Sequence, residues 1–134
     1  EKTAPLSGNA TAVNCAFSDN LPYDIYSNSG SIPYMTNSLW VTQNSYADAP
    51  NARIAAVSKD SHRVDDMKFA DPANGNYLPK NYKSPLYNAG YEDKDYLAAV
   101  GATDCAGGVR RMFGRLDIGA FELQKRPGLQ VLVR

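Results

Sequence analysis

Thr11-Ala12-Val13-Asn14-Cys15-Ala16-Phe17-Ser18 is the stretch on which the fold turns. It is rich in β-branched and small residues, and Asp19-Asn20 closes it with a turn signal. Alternation along an extended chain predicts Val13, Cys15 and Phe17 on one face. Met35-Thr36-Asn37-Ser38-Leu39-Trp40-Val41-Thr42 has the same character and closes at Gln43-Asn44. Asn14 and Asn37 hold corresponding places, and 37 − 14 is 23 residues. A period in the low twenties is what one coil of a parallel β-solenoid consumes. Asn at a coil corner tolerates left-handed geometry and has an amide to offer the Asn of the next coil. No coil buries its faces alone, so such a stack needs about three coils and a cap at each end. Two coils and one cap are legible. The edge around Val13 to Phe17 is therefore expected to be covered by upstream coils of the same polypeptide or by a partner chain.

Composition agrees with an all-β chain. The 134 residues include nine Tyr, and short apolar runs are bounded by Asn, Asp, Gly, Pro and Ser. Fourteen basic and fourteen acidic residues give a formal net charge of zero, which provides no pull towards nucleic acid or an anionic membrane. No apolar run approaches the ~20 residues of a bilayer span. The sequence opens Glu1-Lys2-Thr3-Ala4-Pro5, without the apolar core of a signal peptide, so an export signal is expected to lie outside it. Cys15 and Cys105 do not make a disulfide framework. A small buried thiol is the ordinary reading of Cys15, with a bridge in an oxidising compartment as the alternative.

The remainder divides into residues 1–66, coils and loop, and residues 67–134, a capping segment packed with the coils as one unit. Ile54 to Val57 reads as a buried strand or a helical turn. Ser58 to Asp66, with Lys59, Asp60, His62, Arg63, Asp65 and Asp66, reads as a solvated loop. Glu92 to Val100 predicts a helix of about two turns with Tyr96, Leu97 and Val100 on one face. Leu116 to Leu123 alternates and predicts a strand with Leu116, Ile118 and Ala120 inward. Leu129 to Val133 predicts a last strand after Pro127-Gly128.

Several weak motifs occur in a fixed order: Phe69-Ala-Asp-Pro72, Gly75-Asn-Tyr77, Ser84-Pro-Leu-Tyr-Asn-Ala-Gly90, Thr103-Asp104, Arg110-Arg111, and Gly114-Arg-Leu-Asp-Ile-Gly-Ala-Phe-Glu-Leu123. Together, across residues 69 to 124, they resemble the closing segment of right-handed parallel β-helix proteins of Bacteroidetes-type cell surfaces. There the pattern runs F-x-D-P-x-x-G-D-Y, S-P-A-I-D-A-G, D-x-x-G-x-x-R and D-I-G-A-x-E. Asn14-Cys-Ala-Phe17 and Asn37-Ser-Leu-Trp40 are similar to rungs of these proteins. Asn76 and Asn88 stand where the pattern carries Asp, and the segment from Thr103 to Gly108 is looser than its counterpart. The resemblance implies an extracellular or outer-surface location. It also implies a non-catalytic terminal module of a β-helix protein concerned with glycan binding, adhesion or surface assembly. A polysaccharide lyase with its active site mainly upstream is the alternative. Such lyases use a Lys or Arg base, often with calcium, and Lys59, Arg63, Lys80 and Lys83 form no recognisable set with partners.

No catalytic residue is assigned. His62 is the only imidazole and sits in a charged stretch, where a surface residue is the simpler reading. No cofactor is expected. Asp71, Asn74 and Asn76, and separately Asp93, Asp95 and Asp104, are oxygen donors of the kind calcium takes, but the first group lacks a closing bidentate Glu and reads as a turn. Asp117 and Glu122, five apart on a strand, are expected on opposite faces, with Asp117 pairing Arg110 or Arg111 as architecture. The binding candidates are aromatic. Tyr23, Tyr26, Tyr34 and Trp40 concentrate in the coil-like half, where flat rings stack on sugars, and packing over the coils is the competing role.

Overall fold

The computed structural model describes residues 11–26, 34–43 and 60–124. Both expected strands are broken at their asparagines. Asn14 (φ 53°) and Asn37 (φ 45°) adopt left-handed geometry, so each extended run is split by a corner. The result is β1 (Thr11–Val13) and β2 (Ala16–Phe17), then β3 (Tyr34–Thr36) and β4 (Leu39–Trp40). The corner also resets the alternation. Ala12 rather than Val13 enters the apolar cluster that Cys15 and Phe17 pack against.

The strands pair in parallel at one constant offset. Thr11 lies opposite Tyr34, Ala16 opposite Leu39, and Leu39 opposite His62, each 23 residues on. The third member is β5 (His62–Arg63), inside the stretch expected to be a solvated loop. Asp60 (φ 54°) supplies its left-handed corner, so Asn14, Asn37 and Asp60 form one column at a period of 23. Beside it, the Cys15 N–H donates to Ser38 Oγ at 3.1 Å, and the Ser38 N–H donates to Ser61 Oγ at 2.9 Å. Small hydroxyl side chains thus join turn to turn where strand bonding stops.

A buried carboxylate joins the first two turns on another side. Asp24 Oδ2 accepts the N–H groups of Val41 and Thr42 at 3.1 and 2.8 Å, while Oδ1 accepts the Asn20 N–H and amide. Burial alone would raise its pKa. The bonds from Thr42, Asn20 and Val41 outweigh that and hold it below the ordinary carboxylate range.

Two apolar clusters lie on the two faces of the β2–β4–β5 sheet. Ala12, Ile25, Met35 and Trp40 form one, with Phe17 against it. Leu39, Met67, Leu86 and Ile118 form the other, with Ala16, Val41 and Val64 against it. The second cluster is shared between the coil-like strands and the C-terminal segment. Each fully buried Leu, Ile or Met here contributes about 1.5–3 kcal/mol.

After β5 come β6 (Phe69–Asp71) and β7 (Asn76–Pro79), an antiparallel pair joined by a 3₁₀ turn at Pro72–Asn74 and by Gly75 at φ 76°. Helix α1 (Lys94–Ala99) is the expected helix, slightly shortened, with Asp93 accepting the Tyr96 N–H at its start. Residues 116–123 are not a strand. Leu116 and Ile118 are buried as expected, but Ala120 is exposed, because Gly119 at φ 105° turns the chain. The expected elements at Ile54 to Val57 and Leu129 to Val133 lie outside the described residues. Among those described, strands dominate and one short α-helix is present.

The closing segment runs back along the side of the strands. The Ser84 hydroxyl donates to Met67 O, Leu86 packs with Leu39, Asn37 Nδ2 donates to Ala89 O, and Asn14 Nδ2 donates to Tyr91 O. The asparagine amides therefore bond to this flank, where bonds from Asn to Asn were expected.

Candidate functional site

The four aromatic candidates separate by exposure. Tyr34 is 49% exposed, Tyr26 38%, and Tyr23 half-buried. Trp40 is 5% exposed, packs with Ala12, Ile25 and Met35, and donates its indole N–H to Gln43. Its ring offers no open face to a sugar, because β4 turns it into the core. Lys59 lies outside the described residues.

Two neighbouring cavities, together called the groove below, open instead where the coil-like strands meet the β6–β7 hairpin. One part, about 670 Å³, is bordered by Asp19, Asp65, Asp66, Lys68, Lys80 and Lys83. A second part, about 300 Å³, is lined by Ala16, Tyr77, Ile118 and Phe121 among others. Ser18 and Phe69 border both. Pairing of β6 with β7 sets Tyr77 edge-to-face on Phe69, with centroids 5.3 Å apart and planes at 89°. Tyr77 remains 45% exposed. Sequence reading missed these three rings, although Phe69 and Tyr77 flank an Asp-Pro…Asn-Gly turn that returns the chain on itself.

The carboxylates Asp104, Asp117 and Glu122 are all buried around Arg110. Asp104 accepts the N–H groups of Glu122, Gly108 and Ala106 at 2.7–2.9 Å. Asp117 accepts those of Asn88 at 2.6 Å and Leu123 at 2.8 Å. Glu122 accepts the Asp117 N–H at 3.1 Å and lies 3.4 Å from the Arg110 guanidinium. The turn at Gly119 brings Asp117 and Glu122 together; the expectation of opposite faces fails because the strand it assumed is absent. Arg110 pairs Glu122, whereas Arg111 pairs Glu92.

Burial drives the Glu122 pKa up to about 8; the negative charges of Asp117 and Asp104 add to this, and the Asp117 N–H and Arg110 oppose it. Burial likewise raises that of Asp117, against bonds from Asn88 and Leu123. In Asp104, burial is outweighed by the N–H groups of Glu122, Gly108 and Ala106, and the pKa falls. These oxygens are aimed at backbone donors, which makes the cluster a frame for the closing turns.

The other predicted positions are simply placed. His62 and Arg63 are exposed on β5, and Lys80 and Lys83 border the groove. Asp71 Oδ2 accepts the Asn74 side-chain amide at 2.8 Å, within the turn expected there. Among the described residues no group of three or more His, Cys, Asp or Glu converges as metal ligands, and no helix is long and apolar enough to cross a membrane. Both cysteines are free thiols. Comparison with protein-family models, curated proteins and solved structures finds no match.

Proposed function

We propose that this chain is the non-catalytic terminal module of a right-handed parallel β-helix protein, secreted or on the outer cell surface, that binds glycan or serves adhesion and assembly. The observation that carries the solenoid part of this reading is the single offset of 23 residues in three parallel pairings, which join three turns in two successive steps. A hairpin-built sheet has no reason to repeat one offset, whereas stacked coils require it. The ordered motifs of residues 69 to 124 support the surface assignment by resemblance.

The two outer strands support a direction for the stack. On β5, His62 and Arg63 are both exposed, and Asp65 and Asp66 follow. Charged edge residues discourage further pairing, as suits a last coil. The opposite outer strand, β2, is Ala16-Phe17, with no charge to deter another strand. An added coil of the same polypeptide, or a partner chain, fits there.

Sedimentation velocity over a concentration series tests this. Residues 1–134 are expected to self-associate through the β2 edge, and Phe17→Lys is expected to return them to monomer. A monomeric chain that unfolds in one cooperative step, unaffected by Phe17→Lys, overturns the open-edge reading.

A further inference from the structure

The groove beside the β6–β7 hairpin is used neither by the stacking of the strands nor by the carboxylate frame. We propose that it is the glycan site, and that its ligand is a neutral polysaccharide chain. This rests on the glycan-binding reading above and moves the contact from Tyr23, Tyr26, Tyr34 and Trp40 to Tyr77, Phe69 and Phe121.

Three observations carry it. The first is shape. Cavities of about 670 and 300 Å³ lie side by side with Ser18 and Phe69 in both walls, so two neighbouring recesses are available to linked rings. Both volumes fall within the ~300–1,000 Å³ range of small-molecule sites. The second is the aromatic floor. Phe69, half-buried, holds the Tyr77 ring edge-to-face at 5.3 Å, and Phe121 lines the same part. A pre-set ring presents the apolar C–H face of a pyranose with a partner at little entropic cost.

The third is charge. Lys68, Lys80 and Lys83 balance Asp19, Asp65 and Asp66 around the larger part. A polyanion or a polycation would be repelled by half of these groups. A sugar hydroxyl donates and accepts, so it satisfies carboxylate and ammonium alike. Part of the set is already engaged: Asp66 accepts the Lys68 N–H at 2.7 Å, and Lys68 Nζ donates to Lys83 O at 3.4 Å. Lys80 borders the same space and is left to meet hydroxyls.

Affinity electrophoresis of the 134-residue chain decides it, with galactomannan, xylan and mixed-linkage β-glucan as neutral probes and polygalacturonate and hyaluronan as acidic ones. At least one neutral polysaccharide is expected to retard the wild type. Tyr77→Ala and Lys80→Ala are each expected to weaken this about tenfold, with Tyr26→Ala and Tyr34→Ala unchanged. Tyr77→Leu keeps apolar bulk without the ring and should weaken it equally, with thermal melts confirming the fold of each variant. Retardation lost in Tyr26→Ala or Tyr34→Ala but kept in Tyr77→Ala overturns the groove and leaves glycan binding standing. Retardation by the acidic probes alone overturns the neutral assignment. A wild type that no probe retards overturns both the groove and the glycan reading.

Discussion

Asn14 reaches across 77 residues of sequence to grip Tyr91, donating from Nδ2 to its carbonyl at 3.0 Å and accepting its N–H at Oδ1. One turn on, Asn37 holds Ala89 O at 2.7 Å. The corner that separates each pair of strands thus also fastens Ala89 and Tyr91 beside it.

Asn14→Ala is expected to cost about 2–4 kcal/mol. It leaves the Tyr91 peptide groups without partners and forces Ala into left-handed geometry. Asn14→Gly removes the amide but relieves the backbone and should cost roughly half as much. Urea unfolding of the two variants separates the contributions; equal losses would show that backbone geometry is not part of the requirement.

Ser38 links neighbouring turns through its side chain and its backbone. Ser38→Ala strips the acceptor from the Cys15 N–H and should destabilise by about 1–3 kcal/mol. Amide hydrogen exchange at Cys15 should accelerate more than exchange in α1, which lies away from the ladder. Uniform acceleration would argue against a local role.

Gly90 is fixed by contact. A Cβ there would meet Leu116 O at 2.7 Å and Leu116 Cβ at 2.9 Å, and the Gly90 N–H already donates to that same oxygen at 2.8 Å. Gly90→Ala is expected to lower stability by about 1–3 kcal/mol. Gly101→Ala, whose nearest neighbour is 3.9 Å away, should stay within about 0.5 kcal/mol. Thermal melts of the pair make the comparison, and similar melting temperatures would contradict it.

The carboxylate frame predicts a pH dependence with a definite sign. Glu122 is raised from an ordinary 4.5 to about 8, so the folded state holds its proton more tightly than the unfolded chain does. Its contribution is therefore full below about pH 4.5 and is lost as pH rises through about 8. Asp117 shifts the same way, whereas Asp104 and Asp24 are lowered and contribute above the ordinary carboxylate range, losing that as pH falls. Glu122→Gln should flatten the decline in melting temperature between pH 5 and pH 8.5. A decline as steep as in the wild type would assign it to another group.

Local chemistry made part of the molecule legible. The 23-residue spacing of Asn14 and Asn37 stood out because a left-handed corner restricts residue type, and apolar residues follow both. The third turn escaped notice for a physical reason. β5 lies at one edge of its three-stranded sheet, and Asp60-Ser61-His62-Arg63 carries charge where the neighbouring β4 carries Leu39 and Trp40.

The sequence by itself determined an all-β chain with a 23-residue repeat, the helix after Asp93, and the turns at Asp71 to Gly75. All follow from backbone preference and spacing, which act over a few residues or one 23-residue repeat. Tertiary structure decided what depends on distant segments meeting. It buried Trp40, turned the Asn amides to the closing segment, folded Asp117 and Glu122 together at Gly119, and set Tyr77 and Phe121 beside one groove. No local preference encodes those meetings, because burial and hydrogen-bond satisfaction are properties of the packed whole.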